Sequence, residues 1–100
     1  MSYKCINKNY AVELIKEHDC LIVDIRDSES FIKGHIKGAI NLSNENIDNF
    51  VSSTDKNSNI IVCCFHGNSS KNAAKFLCKM GFINVSSLDG GYEEWKNNVK

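Results

Sequence analysis

The chain has 100 residues, 42% of them hydrophobic and 24% charged, which suits one domain spanning 1–100 with a buried core. Its 12 Lys and Arg balance its 12 Asp and Glu, a net charge of zero with His neutral, and this argues against a nucleic-acid partner or a polybasic membrane patch. No apolar run approaches a membrane span, and Met1-Ser2-Tyr3-Lys4-Cys5-Ile6-Asn7 lacks the apolar stretch of a signal peptide, so the expected location is cytoplasmic.

In chain order, Ile6 leads into a helix from about Asn9 to Glu17, capped by Asn7 or Asn9, with Ala11, Leu14, Ile15 and His18 on one face. Leu21 to Ile25 is a short apolar strand ending in charged residues. A helical turn follows from Ser28 to Lys33, and Gly34 and Gly38 bracket a loop holding His35. Ala39 to Leu42 predicts a short strand and Asn44 to Val51 a helix. Ile60-Ile61-Val62-Cys63 is the most strand-like run, apolar throughout as in a parallel strand covered on both faces. After a loop from Phe65 to Ser69, Ser70 to Met80 reads as a helix with Ala73, Ala74, Leu77 and Cys78 inward. Val85 to Leu88 is a strand, Asp89-Gly90-Gly91 a turn, and Tyr92 to Asn97 a last helix.

Alternating strands and helices predict an α/β fold: a mainly parallel central sheet flanked by helices on both faces. Ligands of such sheets bind beyond the carboxyl ends of the strands, and Cys64 stands at one of those ends. The five cysteines at 5, 20, 63, 64 and 78 are odd in number and contain no CxxC, so reduced thiols are expected. Cys63 and Cys64 should point to opposite faces of their strand, which disfavours them as a redox pair.

The run Cys64-Phe65-His66-Gly67-Asn68-Ser69-Ser70-Lys71 leaves a buried strand and enters a helix. A loop this short, with Gly67 and Asn68 tolerating unusual backbone angles, can turn successive N–H groups inward. The helix adds its own unpaired N–H groups and the positive end of its dipole. Ser69 and Ser70 add hydroxyls, and either is placed to cap the helix. The expected result is an anion cradle around Cys64. Lowering the thiol pKa from about 8.5 to about 7 would raise the thiolate fraction at neutral pH roughly 16-fold. The weaker base is a poorer nucleophile by roughly 4- to 6-fold, so the net gain is small. Converging donors serve better to hold a charged intermediate on the sulfur.

Phosphatase chemistry on such a loop needs Cys-x5-Arg for a bidentate clamp. Here the sixth residue after Cys64 is Ser70, and the only arginine in the chain is Arg26. Lys71 is a point charge and a poor substitute. A metal site is not expected, since His35, Cys64 and His66 lack a recognised ligand spacing.

From about Leu14 to Trp95 the chain resembles the rhodanese family. Val23-Asp24-Ile25-Arg26-Asp27 is similar to the family's first strand-end motif. Phe31-Ile32-Lys33-Gly34-His35-Ile36-Lys37-Gly38-Ala39 is similar to its Phe-x3-His-Ile-x-Gly-Ala signature, with Lys37 where proline is usual. Leu88-Asp89-Gly90-Gly91-Tyr92-Glu93-Glu94-Trp95 is similar to its Gly-Gly-aromatic-x-x-Trp signature. The cysteine loop most resembles that of the small single-domain GlpE-type thiosulfate sulfurtransferases. The resemblance implies a ping-pong reaction without a cofactor. Cys64 takes the outer sulfur of thiosulfate as a persulfide, and cyanide or a cellular thiol then accepts it. It implies a loop of Phe65, His66, Gly67, Asn68, Ser69 and Ser70 that binds substrate and persulfide.

Other residues carry two readings each. His66 either donates to substrate or faces solvent. Lys71 either attracts the thiosulfate dianion or lies on a solvated helix face. Asp24, Arg26 and His35 either rim the pocket or hold the structure together. The alternative to catalysis on free thiosulfate is a persulfide carrier module loaded by a partner enzyme.

Overall fold

The computed structural model describes residues 2–98; Met1, Val99 and Lys100 of the expected domain lie outside the described residues. The elements in order are β1 Lys4–Ile6, α1 Lys8–Glu17, β2 Cys20–Asp24, α2 Ser28–Lys33, β3 Ile40–Asn41, α3 Ile47–Ser53, β4 Asn59–Cys63, α4 Ser69–Lys79, β5 Asn84–Leu88 and α5 Gly91–Asn98. The five strands form one sheet in the order β1-β5-β4-β2-β3, and every pairing is parallel.

Alternation along β4 sorts the core into two layers. Ile60 and Val62 join Val23, Phe50, Ala74, Leu77, Phe82 and Val85 on the side covered by α3 and α4. Ile61 and Cys63 join Ile6, Ala11, Ile22, Ile36 and Leu88 on the side covered by α1 and α5, where Tyr92 and Trp95 pack. The sheet is thus covered on both faces, as the apolar central strand requires.

Three local readings change. β1 is a strand that the sequence reading ran into the first helix: with only three residues, and Lys4 and Cys5 exposed on the sheet edge, it carries no periodic signal. Helix α1 starts behind Asn7, whose side chain accepts from the Tyr10 N–H at 2.8 Å, and His18 is its exposed C-terminal cap rather than an inward residue. Helix α3 begins at Ile47, later than the expected Asn44. Asn46 accepts from the Ser43 N–H at 2.7 Å and donates to the Asn41 carbonyl at 2.9 Å, which ties residues 43–46 into a turn.

Candidate active site

Cys64 follows the last residue of β4. Cys63 faces the α1/α5 layer, so its neighbour turns toward α4. Cys64 as a residue is 3% exposed. Its Sγ accepts the Gly67 N–H at 3.1 Å and the Ser70 N–H at 3.3 Å. Burial pushes the Cys64 thiol up. Hydrogen bonds from the Ser70 hydroxyl and from the amides of Ser70, Gly67 and His66 outweigh it and hold the thiol below its ordinary value.

The loop closes this tightly because Gly67 adopts φ +96°, where a Cβ would come within 2.8 Å of the Gly90 nitrogen. The expectation that Ser69 or Ser70 caps the helix is corrected. Asn68 holds the cap position and makes no side-chain cap bond, while Ser69 and Ser70 are the first helical residues. The Ser70 N–H, which a capping oxygen would take, goes to the sulfur instead. The Ser70 hydroxyl, wholly buried, lies 2.7 Å from the Ser87 hydroxyl on β5.

The outer side of the loop is also built. The Tyr92 and Glu93 N–H groups at the start of α5 donate to the Cys64 and Phe65 carbonyls at 2.8 and 3.1 Å. Gly91 allows that approach: a Cβ there would sit 2.5 Å from each of those carbonyl oxygens. Loop carbonyls are satisfied from behind, which leaves loop amides for the sulfur.

The remaining residues singled out from sequence divide as follows. Phe65 is half-exposed, and its ring lies over the Arg26 guanidinium at 5.5 Å. His66, Asn68, Ser69 and Lys71 are exposed around the cradle. Asp24 and Arg26 form a buried pair: Arg26 Nη2 and Nε donate to Asp24 Oδ2 and Oδ1 at 2.7 and 3.0 Å. Arg26 Nη2 also donates to the Gly34 carbonyl at 2.7 Å, and the guanidinium stacks 4.4 Å from the Tyr92 ring. Its bond to Asp24 holds the Arg26 pKa up against burial. Arg26 therefore pins α5 and the Gly34 loop to the strand end. His35 is exposed, stacked on Phe31 at 3.8 Å, and its Nδ1 donates to the Phe31 carbonyl at 2.7 Å. These partners organise its own loop.

A cavity of about 720 Å³ lies between α4 and the segments after β2 and β3; Arg26, Leu42, Ile47 and Phe76 line it, and no residue of the Cys64 loop does. The cradle differs from that groove in converging two N–H donors on a thiol. Cys63, paired in register with Asp24, is fully buried; burial, then the Asp24 carboxylate, pushes its thiol up to about 12. It is an inert neighbour of the perturbed Cys64.

Sequence reasoning missed three contributors: Ser87, the α5 N-terminus, and Asn41, whose side chain donates to the Asp24 and Arg26 carbonyls at 3.0 and 2.9 Å. Only Ser87 left a signal. A buried serine in an apolar strand must find a hydrogen-bond partner.

The family model for the rhodanese-like domain matches residues 7–98. Over 94 residues the chain is 47% identical to a protein of Shewanella oneidensis named thiosulfate sulfurtransferase GlpE, covering 94% of this chain and 93% of that one. It is 43% identical to a protein of the same name from Pseudomonas putida, covering 94% of this chain and 86% of that one. Among solved structures, a rhodanese-like domain from Anabaena superposes with a TM-score of 0.84 at 29% identity, over 97% of this chain and 75% of that one. A protein of Staphylococcus saprophyticus superposes with a TM-score of 0.81 at 23% identity, over 96% of both chains.

Proposed function

This chain belongs to the rhodanese-like domain family, and from that premise we propose that it is a thiosulfate sulfurtransferase working through a persulfide on Cys64. The observation that carries this reading is the pair of N–H groups, from Gly67 and Ser70, aimed at Cys64 Sγ. The relatives' shared name supplies the donor, thiosulfate.

In the first half-reaction the Cys64 thiolate attacks the outer sulfur of thiosulfate. A sulfur–sulfur bond forms to Cys64, the one within thiosulfate breaks, and sulfite leaves with its electron pair. The terminal persulfide sulfur keeps a negative charge, which the loop amides and the Ser70 hydroxyl are positioned to hold. In the second half-reaction cyanide or a thiolate attacks that terminal sulfur, forming thiocyanate or a new persulfide, and the Cys64 thiolate is released. The cradle favours the thiolate, so attack calls on no separate general base. His66 and Lys71, exposed at the rim, are in place to attract the dianion. Free, unpaired cysteines suit a reducing compartment such as the cytoplasm.

The test is intact-mass analysis after incubation with thiosulfate. The protein gains the mass of one sulfur atom, reversibly by a thiol, and Cys64→Ser gains none. Loading of Cys64→Ser, or no loading of the wild type, overturns the reading. Fast loading by a cysteine desulfurase but not by thiosulfate would make the domain a carrier instead.

A further inference from the structure

Two serines sit where an apolar interior would serve packing better. Ser70 and Ser87 are both 0% exposed, and their hydroxyl oxygens are 2.7 Å apart. Ser70 lies on the first turn of α4 and gives its N–H to Cys64 Sγ. Its hydroxyl also helps to hold that thiol below its ordinary value. Ser87 lies on β5, paired in register with Val62, two residues before Cys64 on the neighbouring strand.

Each hydroxyl has one hydrogen, so the direction of the bond between the two serines decides what Ser70 can offer the sulfur. If Ser70 donated to Ser87, its hydrogen would be lost to Cys64. The Ser87 hydrogen would then lack an acceptor, since Ser70 is the one side-chain partner of the Ser87 hydroxyl among the described residues. If Ser87 donates to Ser70, both hydrogens are used. The Ser70 hydrogen then points at the sulfur, and accepting from Ser87 makes it a stronger donor.

We infer that Ser87 is a positioning residue: its hydroxyl donates to Ser70 and thereby turns the Ser70 hydrogen onto the Cys64 sulfur. The relay serves the thiolate before transfer. A persulfide has the same need for a donor at the same place. Other charged or titratable groups near the cradle are His66 in the loop, Lys71 on the first turn of α4, Asp89, Tyr92 and Glu93 behind the loop, Cys5 beside Ser87 on β1, and, across the sheet, Cys63 with the Asp24–Arg26 pair. They are unchanged in the variants below.

The inference rests on Cys64 being the reactive thiol. Its test therefore reads that thiol directly, without a sulfur donor. The pH dependence of Cys64 alkylation by iodoacetamide, mapped by peptide mass spectrometry, is compared in wild type, Ser70→Ala, Ser87→Ala and the double variant. Each single variant should raise the midpoint by roughly half to one pH unit. The double variant should match Ser70→Ala alone, because Ser87 acts only through Ser70. Ser87→Thr, which keeps the hydroxyl, should return the midpoint to wild type. A wild-type midpoint in Ser87→Ala, even with lowered thermal stability, overturns the relay. So does a Ser87→Ala shift that persists in the Ser70→Ala background. If Ser87→Ala does not fold, Ser87→Cys, a weak donor of similar size, replaces it, and a wild-type midpoint there is equally fatal. Coupled midpoints in a protein that ignores thiosulfate would support the relay while overturning the proposed donor.

Discussion

The Ser70 N–H donates to Cys64 Sγ at 3.3 Å, in the place where a capping side chain ordinarily serves the second residue of a helix. The sulfur is thus the acceptor that caps the N-terminus of α4, besides being the proposed nucleophile. Cys64→Ala should remove that acceptor and cost about 0.5–2 kcal/mol of stability, as cap deletions do. Cys64→Ser keeps an acceptor and should lose less. Urea unfolding of the two variants checks this, and equal midpoints would remove the capping role.

Cys63 gives a pH dependence of defined sign. Its folded-state pKa, pushed up to about 12 by burial and by Asp24, lies above the ordinary thiol value of about 8.5 in the unfolded chain. The stability it contributes is complete below about 8.5 and is lost as pH rises toward 12, at up to about 1.4 kcal/mol per pH unit. Cys64, held down, works in the opposite sense: its contribution is present above the unfolded thiol pKa and is lost as pH falls through the lowered folded value. Denaturant midpoints between pH 7.5 and 10 (roughly spanning the unfolded thiol's titration) should fall less steeply in Cys63→Val than in wild type. Parallel curves would show that Cys63 ionises as easily folded as unfolded.

Gly91→Ala should damage the site from behind. The added Cβ meets the Cys64 and Phe65 carbonyl oxygens at 2.5 Å and sits at φ +59°. Left-handed backbone alone costs a non-glycine residue on the order of 1–3 kcal/mol. Pushing α5 off the loop should also free those carbonyls and lower sulfur transfer at least about tenfold, since small misplacements at a site are costly. Wild-type turnover in this variant would show that the loop holds its shape without α5.

The Asp24–Arg26 pair makes a further stability prediction. Arg26→Met strands a wholly buried carboxylate and should cost about 3–5 kcal/mol. Adding Asp24→Asn removes the stranded charge while keeping an acceptor for the Arg26 N–H, now made by Asp24 Oδ1 at 3.0 Å. The double variant should therefore be more stable than Arg26→Met alone. A double variant that is no better would mean that the cation-π stacking on Tyr92, rather than the charge, is what Arg26 supplies.

Much of this was legible in the residues. The run Ile60 to Cys63 announces a central parallel strand because a strand covered on both faces must be apolar on both. That strand places Cys64 at its carboxyl end, and Gly67 marks the turn that follows. What stayed hidden was non-local. β1 is paired through its backbone, which leaves no pattern in three residues. The cap of α4 was misread because serine is the usual cap, and the true acceptor lies five residues before Ser69. Ser87 and Tyr92 act on the loop from β5 and α5, and no spacing rule links them to Cys64.

The parallel sheet also sets an order of assembly. β1 pairs with β5, so the first strand of the chain waits for the last. Ser87 and the Tyr92 N–H, which complete the cradle from two sides, belong to the same late stretch. As a growing chain emerges from its N-terminus onward, Cys64 and the Gly67 and Ser70 amides appear before the β5 and α5 residues that brace their loop. The lowered thiol thus belongs to the folded loop, which is braced only when the long-range contacts close.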